Sequence, residues 1–284
     1  MKQIKYAYIS LLLILFNSCI SNGEKVKVAK LNLEDSLNLI KYAKLVDVSP
    51  LYSLDRQKYL DSVLMIVPKN AYAWQQKAMP LFKQKKYELG MSYLDSAVKY
   101  DKTDHYLEYR AFVKCIFQKN YKGAIEDFKS VSKLKGNAYV MDHTYEFYVG
   151  LCHLQLNQFE RAEKLFSKNI EEDRKKLGKD WINCTSLFYQ GICFYELGLT
   201  MKAIQSFDNS LEHYNNFIDA KYYKAICLLK LDKKKEALVL LESAQNDLKK
   251  DFSFPETNAV YETYPYQVNS NLINQFKAEL EGQR

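Results

Sequence analysis

Glycine and proline are scarce in this chain of 284 residues, nine and five respectively. So few turn formers leave little room for loops, and an almost uninterrupted helical protein is expected. Chemistry-bearing patterns are missing as well. The four histidines, His105, His143, His153 and His213, form no i, i+3 or i, i+4 pair with one another. No His-Glu-x-x-His segment is present, and the Cys/His spacings do not match zinc sites. A Gly-x-Ser-x-Gly elbow and a phosphate-cradling glycine loop are likewise absent. No enzyme activity, cofactor, metal or small-molecule substrate is therefore expected. Charge of one sign is also lacking in strength. The formal net charge is +7, and without Lys2 and Lys5, which lie in a segment expected to be removed, it falls to about +5, too mild to indicate nucleic acid.

What the chain does have is apolar and aromatic content, 48% and 14%, enough for a sizeable core. Its pattern is clearest from Asn70 to Lys102, where two segments of helical period flank a lysine-rich turn. Trp74, Ala78 and Leu81 share one face of the first, and Gly90, Leu94 and Ala97 share one face of the second. Small residues at Ala78 and Gly90 let two antiparallel helices approach closely. The unit then recurs. The small residue of the first helix is Ala78, Ala111, Gly150, Gly191 and Ala225, and its partner in the second is Gly90, Ala124, Ala162, Ala203 and Ala237. Separations within pairs are 12, 13, 12, 12 and 12, and the second-helix residues step by 34, 38, 41 and 34. This pattern resembles the tetratricopeptide repeat family, with its bulky, small and aromatic first helix, a Tyr at the turn and a period near 34 residues. The resemblance implies an all-α, right-handed α-solenoid of about six helix pairs, without β-sheet, because one pair cannot bury both faces alone.

Departures from the template carry their own expectations. The two long steps place extra helix or loop near Lys135–Met141 and Glu172–Asp180, with elongated helices in the middle repeats. Pro80 falls inside a first helix, which should kink or start late. Upstream, Leu33, Leu37, Ile40 and Leu45 form a helix that ends at Ser49-Pro50, and Ser53 caps a second one, together making a degenerate first pair. Cys152, Cys193 and Cys227 each lie two residues after a small residue, a register expected of small core side chains. With Cys115 and Cys184 they are expected to be free, buried thiols.

Targeting comes from the start of the chain. Lys2 and Lys5 precede an apolar run from Tyr6 to Phe16, about half the length that spans a bilayer as a helix. Phe16-Asn17-Ser18-Cys19 then resembles a bacterial lipobox, which implies lipidation of Cys19; simple secretion with cleavage near Ser21 is the alternative. Ile20 after the Cys resembles an outer-membrane sorting signal. The expected organisation is a signal peptide over 1–18, a lipidated tether over 19–31, the solenoid over 32–250 and a non-repeat tail with a capping helix over 251–284.

Function is expected on the face that such solenoids turn toward their concave groove. Counting three before, one after and four after each small residue gives a stripe that includes Met79, Phe82, Phe112, Phe147, Leu151, Phe188, Ile192, Tyr195, Tyr222 and Ile226. Apart from Gln75 and Glu108 the stripe is apolar, so the Asn, Lys and Arg with which family members clamp acidic chaperone termini are absent. An open groove of this kind suits an apolar helix or aromatic peptide segment of a protein partner, with the membrane engaged through the lipid. Two alternatives stay open: a toxin-neutralising protein or enzyme accessory subunit, and a groove already filled by the tail. The tail's prolines extend Phe252–Pro255 and Tyr261–Tyr266, and Leu272, Ile273, Phe276 and Leu280 line one side of a last helix. Anchored clusters at Phe252–Phe254 and Tyr261–Tyr266, with looser chain between them, are expected, and the last helix should dock as a cap on the last pair or in the groove.

Overall fold

The computed structural model describes residues 31–282 apart from residue 102; the apolar run and Cys19 lie outside them. Six antiparallel helix pairs follow one another. They are α1 (Leu33–Val48) with α2 (Leu54–Ile66), α3 (Ala71–Lys83) with α4 (Tyr87–Tyr100), α5 (Asp104–Ile116) with α6 (Tyr121–Lys135), α7 (Tyr145–Gln155) with α8 (Phe159–Leu177), α9 (Cys184–Glu196) with α10 (Thr200–His213), and α11 (Ile218–Leu229) with α12 (Lys234–Leu248). Side chains of Asn32, Ser53, Asn70, Asn120, Thr144 and Asn183 accept otherwise unpaired amides in the first turns that follow them, fixing where those helices begin. The chain packs as an all-α solenoid.

Each later pair reverses direction through one left-handed residue. Lys85, Lys119, Asn157, Gly198 and Asp232 all have φ between 57° and 72°. The following amides close back on the first helix, as from Lys86 to Leu81 O, Gln158 to His153 O and Lys233 to Leu228 O, satisfying carbonyls that the helix end exposes. In the third pair the bond runs from Asn120 to Lys114 O, one residue longer. That extra turn residue is the physical source of the single 13-residue spacing.

Close approach depends on the small residues. A Cβ on Gly90 would lie 2.6 Å from the Phe82 ring, and one on Gly191 would lie 2.6 Å from Phe207. Gly150 faces Phe166 in the same way at 3.0 Å. Ala78, Ala111, Ala124, Ala162, Ala203, Ala225 and Ala237 are completely buried. A larger side chain at these places would separate the helices of a pair and uncover the aromatic residues between them.

Two expectations are corrected, and a third, the capping helix, is met. The helix containing Pro80 does not start late: α3 begins at Ala71, where Asn70 caps it, and continues to Lys83. Tertiary packing of a helix whose Ala78 and Phe82 are buried outweighs the missing hydrogen bond. Strand is present too, as a two-residue antiparallel ribbon, β1 (Tyr139–Val140) with β2 (His143–Thr144). The first long step is therefore a ribbon following Gly136, while the second is extra helix, giving α8 its 19 residues. Last, α13 (Ser270–Gly282) caps the final pair through Ile273 and Leu280, which join Leu241 and Ala244 in a separate core cluster. Asn269 caps it by accepting the Leu272 amide.

Candidate functional site

The predicted stripe divides by burial. Phe82, Phe112, Phe147, Leu151, Phe188 and Ile192 are enclosed, at most 1% exposed. Phe82 fills the space opposite Gly90, Phe147 packs on Phe166 and Tyr189, and Phe188 packs on Phe207. These side chains hold helices together and in this structure present no free surface. Met79, Tyr195, Tyr222 and Ile226 are half-buried.

The face that carries another segment lies one residue round each first helix, about 100° away. Two residues before each small residue stand Gln76, Tyr109, Tyr148, Tyr189 and Tyr223. The same stripe continues at i+4 and i+7 through Cys152, Cys193 and Cys227 to Lys83, Glu196 and Lys230. A signal for it was present in the sequence: the recurrent Tyr before and Cys after the small residue in the last three pairs.

On this face lies the tail. Phe254 enters an aromatic pocket with ring centroids 5.4 Å from Phe217, 6.0 Å from Phe188 and 6.3 Å from Tyr189. Glu256 then reaches the fourth pair, where Oε1 is 2.6 Å from His143 Nε2, both side chains being buried. A short 3-10 turn, Thr257–Val260, begins with Thr257 donating to Asp142 at 2.5 Å. Farther along, Tyr261 lies under Lys83 at 4.1 Å, Tyr87 donates to Glu262, and Lys119 donates to Thr263 O at 2.6 Å. The chain then doubles back. Tyr264 stacks on Phe254 at 5.5 Å, Tyr189 donates to Pro265 O, and Tyr266 packs on Tyr223 while donating to Glu196 at 2.7 Å. The Val268 amide finally donates to Asp219 at 2.6 Å. The tail is thus a loop inserted along four pairs, and it returns to the sixth before α13 begins.

Both expected aromatic anchors are present. The segment between them carries a third, at Glu256, which sequence reasoning missed because its partner His143 sits on the ribbon. That ribbon places the imidazole face to face with Phe147 at 3.6 Å, leaving Nε2 directed at the carboxylate. Burial pushes the phenols of Tyr148 and Tyr189 well above their ordinary range, with acidic Glu256 adding to the effect. They therefore stay protonated, and Tyr189 serves as a donor to the loop. Burial also raises the Asp219 carboxyl from 3.8 to about 7, against the opposing bond from Val268.

Cysteine chemistry is subdued. The five described cysteines are free thiols, and burial pushes Cys184 up to about 11. Cys115 and Cys152, which lie in different registers of adjacent first helices, nevertheless meet, with Sγ atoms 3.5 Å apart. Among the described residues no group of three or more His, Cys, Asp or Glu side chains is arranged to hold a metal. No described helix is long and apolar enough to cross a membrane.

Comparison with known proteins agrees with this geometry. The sequence profile of the tetratricopeptide repeat matches residues 185–216, which cover α9, its turn and α10. No curated protein matches the sequence. Among solved structures, a tetratricopeptide repeat protein from Parabacteroides merdae is similar with a TM-score of 0.58 at 15% identity, covering 87% of this chain and 98% of that one. PilW, a widely conserved type IV pilus biogenesis factor, is similar with a TM-score of 0.58 at 12% identity, covering 77% and 95% respectively. MamA from Desulfovibrio magneticus RS-1 gives 0.52 at 14% identity, covering 64% and 97%. At these identities the likeness is one of fold.

Proposed function

We propose that this tetratricopeptide solenoid is a lipid-anchored scaffold of the bacterial cell envelope, and that it binds a segment of a protein partner along the inner face of its first helices. The observation that carries this reading is the seated tail. A face that accommodates Phe254, Glu256 and Tyr266 of its own chain has the pockets and donors that an extended peptide needs. Absence of recognisable catalytic patterns and of a three-ligand metal cluster among the described residues leaves binding as the reading with positive support. Anchoring rests on the sequence alone, through Cys19 after the short apolar run, and suits the outer membrane.

Two experiments test the two halves. A photo-crosslinking amino acid placed at Lys230, an exposed position on the Tyr223 stripe, should form an adduct with another protein in intact envelopes. The same group at Val239, which is exposed on α12, should not. Adducts confined to the chain's own tail would overturn partner binding. Cys19→Ala should abolish lipid labelling and release the protein from membranes, since an acyl anchor and not the apolar run holds it there. Retention like that of the unaltered protein would overturn the anchor.

A further inference from the structure

We infer that the loop over residues 252–268 is a displaceable plug, and that the partner segment replacing it shares its chemistry: aromatic and acidic, with a Phe or Tyr followed two positions later by a carboxylate. This deepens the partner-binding reading and rests on it.

The plug's composition is one-sided. Residues 252–268 contain Glu256 and Glu262 and no Lys or Arg; the groove meets Glu256 with His143 and Glu262 with Lys119 at 4.0 Å, while Lys83 lies over the Tyr261 ring. Glu256 facing His143 and Glu262 facing Lys119, with the wall carboxylates Asp142, Glu196 and Asp219 accepting from Thr257, Tyr266 and the Val268 amide, give register and orientation to an extended chain. Phe254 supplies the apolar anchor in its pocket, 4% exposed, and Glu256 lies two residues on, so the two together define the spacing a competing segment must reproduce.

Its attachment is separable from the rest of the fold. Phe254, Tyr261, Tyr264 and Tyr266 pack in the main core, and only the plug's end residues, Phe252 and Val268, reach the second cluster that Ile273 and Leu280 of α13 form with α12. The loop can therefore leave while the capping helix stays docked. Ahead of the plug the left-handed Asp251 (φ 60°) ends α12, with the Phe252 amide donating to Asp247 O, and near the plug's far end Tyr266 is left-handed at φ 59°. A bulky residue such as Tyr is uncommon there and is held only by its surroundings. Departure of the loop frees Tyr266 of those surroundings, which favours a hinge there.

Because the plug is tethered at both ends, it competes at an effective concentration on the order of millimolar. A free peptide at micromolar concentration then meets a largely closed groove. The probe is a fluorescent peptide with the sequence of residues 252–268, added to the full chain and read by anisotropy. Phe254→Ala and Glu256→Gln, made separately in the full chain, should each bind it at least tenfold more tightly than the unaltered chain does. A peptide carrying both substitutions should bind either variant at least tenfold more weakly than the original peptide. Equal affinity for the unaltered chain and the Glu256→Gln chain, with unchanged circular dichroism, would overturn the inference. Glu256→Gln keeps the side-chain shape and so decides the matter even where Phe254→Ala fails to fold. Should the peptide fail while the Lys230 crosslink still captures a partner, the groove binds proteins but the plug does not resemble them.

Discussion

Asp219→Asn should stabilise this protein at neutral and alkaline pH and remove a pH dependence that the unaltered chain shows. Asp219 lies in the first turn of α11, is 2% exposed, and accepts the Val268 amide at 2.6 Å. A helix N-terminus favours a carboxylate by about 0.3–1 kcal/mol. Burial opposes it and wins, raising the carboxyl from 3.8 to about 7. The sign follows from linkage: between these values the unfolded chain has lost the proton that the folded chain keeps, so stability falls as pH rises. The contribution of Asp219 to stability is greatest below pH 3.8, declines through the interval and levels off above 7. A span of three pH units corresponds to at most about 4 kcal/mol. Asparagine removes that cost and keeps an oxygen for Val268, but exchanges a charged acceptor for a neutral one, a loss of about 1 kcal/mol, and gives up the dipole interaction. The net gain expected above pH 7 is about 2 kcal/mol, or roughly 4–8 °C in Tm for a chain of this size. Thermal melts followed by circular dichroism at pH 4 to 8 measure it. A variant that melts lower than the unaltered chain at pH 8, or that keeps the same fall between pH 4 and 7, would refute the reasoning.

Further outcomes follow from the packing. Gly191→Ala would bring a Cβ to 2.6 Å from the buried Phe207 ring; overpacking of about 1–3 kcal/mol against a helix-propensity gain of about 1 leaves a net loss of up to about 2 kcal/mol. A urea midpoint lowered by Gly191→Ala and partly restored by adding Phe207→Leu checks this. Lys221→Ala should cost about 3–5 kcal/mol in urea denaturation, because it strands the Asp247 carboxylate; Lys221 and Asp247 are paired and only 7% and 5% exposed. A thiol reagent should modify Cys184, which is half-buried, before the buried Cys115, Cys152, Cys193 and Cys227, and mapping of the labelled peptides against time gives the order.

The repeat architecture was legible because helix pairing constrains sequence at fixed distances. Small residues 12 or 13 apart must face each other, so five pairs could be read from spacing alone, and the first pair from its apolar period and the cap at Ser53. The inner face was displaced by one position for a physical reason. Large apolar residues at the three-before position, such as Phe147 and Phe188, are needed between helices, with Phe188 also walling the Phe254 pocket, whereas of the tyrosines beside them Tyr189 and Tyr223 meet the loop, Tyr189 through its hydroxyl. Hydrophobicity alone ranks these two stripes in the wrong order. The pairing of His143 with Glu256, separated by 113 residues, left no local trace, since neither residue's neighbours reveal a partner that far along the chain. The ribbon that positions His143 was visible only as an excess length between repeats.

Insertion of the plug also governs the order in which the molecule assembles. Contacts between successive pairs join residues near 34 apart, but Tyr87 and Glu262 are 175 apart. Closing the longer loop costs about 1.5 kcal/mol more in chain entropy, and it cannot begin until the surfaces it joins exist. The second through sixth pairs must form first, building the groove, and the loop seats last. Every copy of the protein therefore passes through a stage of its own folding with the groove built and empty, when a partner segment meets no intramolecular competitor.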